Sequence, residues 1–210
     1  MVLTYYGKSC VKLSQGDTVI AFNPYGKQGG EKQPRFGAEI VLVSRNDGLY
    51  NATENMEHAD KKPFVISGPG EYEVGGIFIK GYGVAGPTGA INTIYTLVLD
   101  DIRVCHLGGI EVAQVPADAV EGIGEVDLLF VPVWGGDLVP PHEAHELAAS
   151  FEPKLIVPLH DGKTGAGSPL ATFLKEAGEK EGEFQEKLAL KRKDLEGKEG
   201  EIILLSATLA

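Results

Sequence analysis

The chain has 210 residues, 43% of them hydrophobic and 23% charged, an ordinary balance for one domain with a sizeable core. Its 30 Asp and Glu against 19 Lys and Arg leave a formal net charge of -11, and so acidic a surface argues against nucleic acid as a partner. The two cysteines, Cys10 and Cys105, make no disulfide framework and point to a reducing compartment. The N-terminus carries no basic-then-apolar signal, and no apolar run approaches the roughly 18 residues of a membrane span. A cytoplasmic protein with no membrane association is expected.

In chain order, Val2 to Tyr6, Cys10 to Leu13 and Thr18 to Phe22 read as strands, the last two joined by a tight turn at Ser14-Gln15-Gly16-Asp17. Asn23-Pro24 ends the third, because proline cannot continue a ladder. Gln28 to Phe36 reads as an exposed loop. Glu39 to Val43 is a short β-branched run, the pattern of a strand covered on both faces. Asn51 to Ala59 reads as a short helical turn. Phe64 to Ile66 is a strand, followed by a hairpin of Glu71 to Val74 and Ile77 to Tyr82 about Gly75-Gly76. Val84 to Ile91 is expected to be a loop. A second hairpin joins Asn92 to Leu99 with Ile102 to Cys105 about Asp100-Asp101.

The pattern then changes. Helices are expected at Pro116 to Glu121, at Pro140 to Phe151 and from the Ser168-Pro169 cap to about Ala177. They alternate with buried strands at Val126 to Val131 and Leu155 to Leu159. Gln185 to Leu190 and Ile202 to Ser206 close the chain as strands. A first half of antiparallel strands and a second half of alternating strand and helix can stack two sheets with helices outside, as an α/β sandwich spanning residues 1 to 210 as one domain. The basic stretch Lys187 to Lys198 has acids mixed in and reads as a solvated strand and turn. His142 and His145 are read as a solvated helix face, and Gly162-Lys163-Thr164 as a flexible loop, because the earlier glycine of a phosphate loop is absent. The helix start that follows is a candidate for holding an anion beside His160.

Over nearly its whole length the chain resembles the metallo-β-lactamase-fold superfamily, in its small Zn-dependent hydrolase-like branch. The resemblance rests on ordered short matches: Gly7-Lys8-Ser9-Cys10, Ile20 to Pro24, Val41 to Ser44, Ser67 to Val74, Cys105-His106-Leu107-Gly108, Asp127 to Gly135 and Val157-Pro158-Leu159-His160. It implies the four-layer αβ/βα sandwich of that fold, an edge where strand-end loops meet, and hydrolysis by metal-bound hydroxide.

The ligand motif departs from the family. Where H-x-H-x-D-H is expected, this chain has Arg45, Asp47, Leu49 and Tyr50; Lys8 stands at the opening histidine, Asn23 at an aspartate and Gly109 at the bridging aspartate. Only His106 and His160 survive as histidines. Zinc needs three or four converging N, O or S ligands, so a binuclear centre is not expected.

The first reading is therefore a metal-free relic with no resident cofactor, binding a small molecule or a partner, with Arg45 as anion anchor and Tyr50 and Trp134 as pocket walls. The alternative is a residual single-metal hydrolase holding one zinc, iron or manganese ion on Asp47, His106 and His160, with Glu111 or Asp161 assisting. Thiol chemistry is disfavoured, because Cys105 and His106 are adjacent on a strand and face opposite ways. A homo-oligomer is expected by analogy with relatives alone.

Overall fold

The computed structural model describes residues 1–29, 32–60, 62–87 and 89–208. Two sheets stack face to face. The first contains β1 (Val2–Gly7), β2 (Cys10–Gln15), β3 (Thr18–Phe22), β4 (Ile40–Leu42) and β5 (Phe64–Ile66), with the late strand β12 (Lys187–Ala189) on the free side of β1. The second contains β6 (Gly70–Val74), β7 (Ile77–Ala85), β8 (Ile91–Leu99), β9 (Ile102–His106), β10 (Leu128–Pro132), β11 (Leu155–Leu159) and β13 (Glu201–Ile202), in the order β13-β11-β10-β9-β8-β7-β6. The alternation of each strand sends Leu3, Leu13, Ile20, Phe22 and Leu42 from one sheet, and Tyr95, Leu97, Val104, Phe130 and Val157 from the other, into one shared core.

The helices α1 (Ala117–Ile123), α2 (Pro141–Ala149) and α3 (Pro169–Glu176) follow the sheet change read from the sequence. Ser168 caps α3 by accepting from the Ala171 N–H at 3.0 Å. Their apolar faces pack with Cys105, Leu129, Val131 and Ile156 on the outer side of the second sheet. The outside of the first sheet is covered by the segment around Phe36, Ala38 and Met56, which includes a 3₁₀ turn at Thr53–Met56 where a helical turn was expected.

Three sequence readings need correction. Val84 and Ala85 belong to β7, because Val84 pairs with Asn92 and Ala85 with Ile91, so the loop shrinks to residues 86 to 90. The glycine at 81 makes that ladder possible: a Cβ there would lie 2.9 Å from the Gly68 carbonyl oxygen. The closing strands are shorter than read, and beyond β12 and β13 they meet through a single Gln185–Leu205 bridge. His145 is half-buried where His142 is exposed, and its ring packs edge-on against Phe173 at 5.8 Å. The Gln28 to Phe36 loop begins with a 3₁₀ turn at Lys27–Gly29, and residues 30 and 31 lie outside the described residues. The Asp100-Asp101 turn has φ of 56° and 59°, the left-handed pair that a two-residue hairpin demands.

Parallel pairing is what gathers the functional edge. β9, β10 and β11 run parallel, with Phe130 opposite His106 and Pro132 opposite Leu159. β3 and β4 are likewise parallel, with Phe22 opposite Leu42. The C-terminal ends of these strands deliver Asn23, Ser44, His106, Trp134 and His160 to one rim, the usual place for ligand chemistry in α/β sheets.

Candidate functional site

Each histidine at this rim sits in the same local device. After His106 and after His160 the chain turns back through a glycine two residues on, Gly108 at φ 70° and Gly162 at φ 85°. That conformation aims the glycine N–H at the preceding ring. The Gly108 N–H donates to His106 Nδ1 at 2.9 Å, and the Gly162 N–H to His160 Nδ1 at 3.0 Å. Because Nδ1 accepts in both rings, the proton resides on Nε2, which donates to the Ser9 carbonyl (3.1 Å) in one and to the Leu205 carbonyl (2.9 Å) in the other. His106 is fully buried, stacked on Phe22 at 4.8 Å and tilted against Phe130 at 5.4 Å. Burial disfavours its protonated form and lowers its pKa to about 3. His160 lies between Tyr5 and Phe184, and the Tyr5 phenol donates to the His160 carbonyl.

A second cluster fills the middle of the rim. The Arg45 guanidinium is in ion pairs with the Glu111 carboxylate, only 8% exposed, and with Asp47 Oδ2 at 3.3 Å; it also donates to the Gly109 carbonyl at 3.2 Å. Arg45 lies 5.5 Å from the Tyr50 ring centre. Asp47 Oδ1 accepts from the Leu49 N–H at 2.9 Å, so both its oxygens are engaged. Tyr50 is buried, and that burial pushes its phenol pKa up, with Arg45 opposing, so it stays neutral. These side chains crowd Gly109, the position at which the resemblance implies a bridging aspartate: a Cβ there would lie 2.4 Å from the Tyr50 hydroxyl and 2.7 Å from Arg45 Cδ. Gly109→Ala is accordingly expected to destabilise the fold by about 1–3 kcal/mol through overpacking, with Tyr50→Phe in the same chain recovering part of the loss, read from urea denaturation.

Of the residues singled out in the sequence, Arg45, Asp47, Tyr50 and Glu111 are brought together, while His106 and His160 are held in separate backbone cradles. Trp134 stands at the rim with the Lys8 ammonium over its ring at 4.5 Å. Asp161 pairs with Lys163 at 2.8 Å; burial raises its pKa, but the bonds from Lys163 outweigh this and hold it below the usual carboxylate range. Both thiols are buried, which pushes their pKa up, and Cys105 faces the helix layer while His106 faces the sandwich core. Two residues escaped the sequence reading. Tyr5 links the Lys8 and His160 loops through its hydroxyl. Asn92 accepts from the Gly109 N–H at 2.7 Å and donates to the Leu107 carbonyl at 2.9 Å; an asparagine inside the apolar run Ile91 to Leu99 was the signal.

A metal takes an imidazole through its lone pair, and in each ring that pair faces a backbone N–H. Asp47 is turned to Arg45. Among the described residues no group of three or more His, Cys, Asp or Glu side chains is placed to hold a metal ion. Two wide surface grooves run along His145, Glu199 and Gly200 instead, and none of Arg45, Tyr50, His106 and His160 lines them.

Comparison with known proteins agrees with the fold. Residues 2–160 match the family described as the beta-lactamase superfamily domain. The chain is 23% identical over 197 residues to a UPF0173 protein of Pyrococcus abyssi, covering 80% of this chain and 87% of that one. It is 21% identical over 185 residues to a UPF0173 metal-dependent hydrolase of Natranaerobius thermophilus, covering 76% and 83%. Among solved structures, a protein of Thermotoga maritima assigned to the Zn-dependent hydrolases of the metallo-beta-lactamase superfamily superposes with a TM-score of 0.73 at 30% identity, over 97% of each chain. With its two stacked sheets, its helices outside and these matches, the chain belongs to the beta-lactamase superfamily and carries the metallo-β-lactamase fold.

Proposed function

We propose that this member of a metal-dependent hydrolase family has given up its hydrolytic metal centre and uses the fold to bind a small molecule or a protein partner. The observation that supports this reading best is the pair of histidine–glycine turns, in which the lone pair a metal would need is already accepting from a backbone N–H. Without a metal there is no bound water of lowered pKa to act as nucleophile. The rim is braced instead by Arg45, which ties the loop after β4 to Glu111 and the Gly109 carbonyl after β9. Two carboxylates already balance that arginine, so the part of the rim left for a ligand is the Trp134–Lys8 face, not a free guanidinium. The two reduced, buried cysteines accord with a cytoplasmic setting, and among the described residues no helix is long and apolar enough to cross a membrane.

A second reading, a hydrolase with one zinc, iron or manganese ion on Asp47, His106 and His160, is favoured by the naming of relatives as Zn- or metal-dependent hydrolases. It requires both imidazoles to leave their backbone donors and Asp47 to leave Arg45. Elemental analysis of protein purified without chelator separates the two. The expected result is far less than one transition-metal ion per chain, with a melting temperature unmoved by zinc, manganese or EDTA. About one ion per chain, lost on changing His106 or His160, would overturn the metal-free reading.

A further inference from the structure

The β13 edge of the second sheet opens onto a slot for one more strand. β13 is the last strand on that side and pairs with β11 alone. The Glu201 and Ile203 N–H groups donate into β11, to the Lys154 carbonyl at 3.0 Å and the Ile156 carbonyl at 2.9 Å. Backbone groups alternate in direction along a strand, so Ile202 and Leu204 turn theirs to the open side. Gln185 takes up part of that side. Its N–H donates to the Leu204 carbonyl and its carbonyl accepts from the Ser206 N–H, both at 2.9 Å. This is a single isolated parallel bridge, Gln185 to Leu205, and the chain before Gln185 does not extend it into a ladder. The Ile202 N–H and carbonyl and the Leu204 N–H therefore face a groove of about 540 Å³, walled by the segment from Glu179 to Gln185 and by the segment from Glu199 to Leu204.

The side chains along this groove select its occupant. Leu174 and Leu204, both buried, and the half-buried His145 line it from within. Glu179, Glu183, Glu199 and Glu201 line it as exposed carboxylates on both walls, against the lone ammonium of Lys180 among the described residues that line it. Glu201 pairs with Lys198, while Glu179, Glu183 and Glu199 enter no ion pair among the described residues. A second copy of this chain fits poorly there: it would bring the same acids edge to edge, and a chain of net charge -11 repels its own kind. A basic segment meets opposite charge on both walls. In extended form it also gains main-chain hydrogen bonds from Ile202 and Leu204, and every second side chain points to one face of the sheet. We propose that this groove captures an extended segment of a basic protein partner, in which lysine or arginine alternates with apolar residues, as an added strand beside β13. The rim lies elsewhere, so this inference does not rest on whether the rim holds a metal.

Titration of the full ¹⁵N-labelled chain with an acetylated, amidated heptapeptide of alternating lysine and valine tests it. The expected result is saturable binding, with the largest shifts at the Ile202 and Leu204 amides and along residues 179 to 185. The Glu183→Gln, Glu199→Gln double variant, changed only at exposed side chains, should bind about tenfold more weakly. Peptides N-methylated at every second residue lose the donors of one edge. Of the two possible registers, one should bind about tenfold more weakly and the other keep its affinity. The proposal is overturned by shifts remote from the groove, by no saturation up to about 1 mM peptide, or by equal binding of a glutamate–valine peptide. Equal loss in both N-methyl registers, or none in either, would overturn the added strand. Shifts at Ile202 that grow with protein concentration in the absence of peptide would assign the edge to a second copy instead.

Discussion

Replacing His106 by alanine is expected to destabilise the fold by about 4 kcal/mol, whether or not metal is supplied. The ring is fully buried between Phe22 and Phe130, and cutting an aromatic of that kind back to alanine costs about 3–5 kcal/mol in lost contacts and residual cavity. Its two nitrogens also satisfy the Gly108 N–H and the Ser9 carbonyl, and an abandoned buried partner costs about 1–3 kcal/mol. Since domains of this size hold on the order of 5–15 kcal/mol, such a loss would consume much of it. The same residue gives the fold an acid limit. With a folded pKa of about 3 against 6.5, protonation favours the unfolded chain. His106 therefore contributes stability that is fully present above the unfolded pKa and is lost as pH falls from about 6.5 towards 3, with a limiting slope of about 1.4 kcal/mol per pH unit. Urea titrations at pH 7 and pH 5 should show this slope in the wild type and a shallower one in His106→Asn. Identical slopes, or a wild type whose stability EDTA lowers, would mean that the ring is not the neutral hydrogen-bonded group described.

What the sequence disclosed and what it hid divide along a physical line. Strands that end at this rim announced themselves locally: β4 by its β-branched run and β11 by Leu155 to Leu159 between polar flanks. Turns with forced backbone geometry were equally legible, from Gly75-Gly76 to Asp100-Asp101. The His-x-Gly spacing at His106 and His160 was visible too, but it reads the same whether the lone pair meets a metal or the glycine N–H; only the left-handed φ of the glycine shows which way that N–H points. The Arg45 cluster was less accessible still. Its members come from separate loops after β4 and β9, and whether Arg45 faces a ligand or Glu111 depends on side-chain geometry that no local pattern encodes. Tyr50, offered by the sequence as a pocket wall, packs beside Gly109.

At the opposite edge of the second sheet from this rim, Asp127→Ala is expected to cost about 2–3 kcal/mol at neutral pH, with no dependence on any ligand. Asp127 precedes β10, and its side chain is 2% exposed. Its carboxylate accepts from the Arg103 N–H at 2.9 Å, from Lys154 at 2.8 Å and from Arg192, so one group clamps the starts of β9 and β11 to the 3₁₀ turn at Arg192–Leu195. Exposed ion pairs are worth less than about 1 kcal/mol, whereas breaking a fully buried one costs about 3–5. Here the carboxylate is buried but Lys154 and Arg192 are 34% and 46% exposed, so the released cations regain water and the expected loss falls between those limits. Burial alone would raise the pKa of Asp127, but the bonds from Lys154, the Arg103 N–H and Arg192 outweigh it and hold the value below that of a free carboxylate. A depressed folded pKa contributes stability that is fully present above the unfolded pKa, near 4, and is lost as pH falls through the folded value. The cost of the substitution should thus be the same at pH 7 and pH 5 and shrink below about pH 4. Urea midpoints at three pH values measure it, and a loss under about 1 kcal/mol at pH 7 would show that the clamp is no stronger than a surface pair.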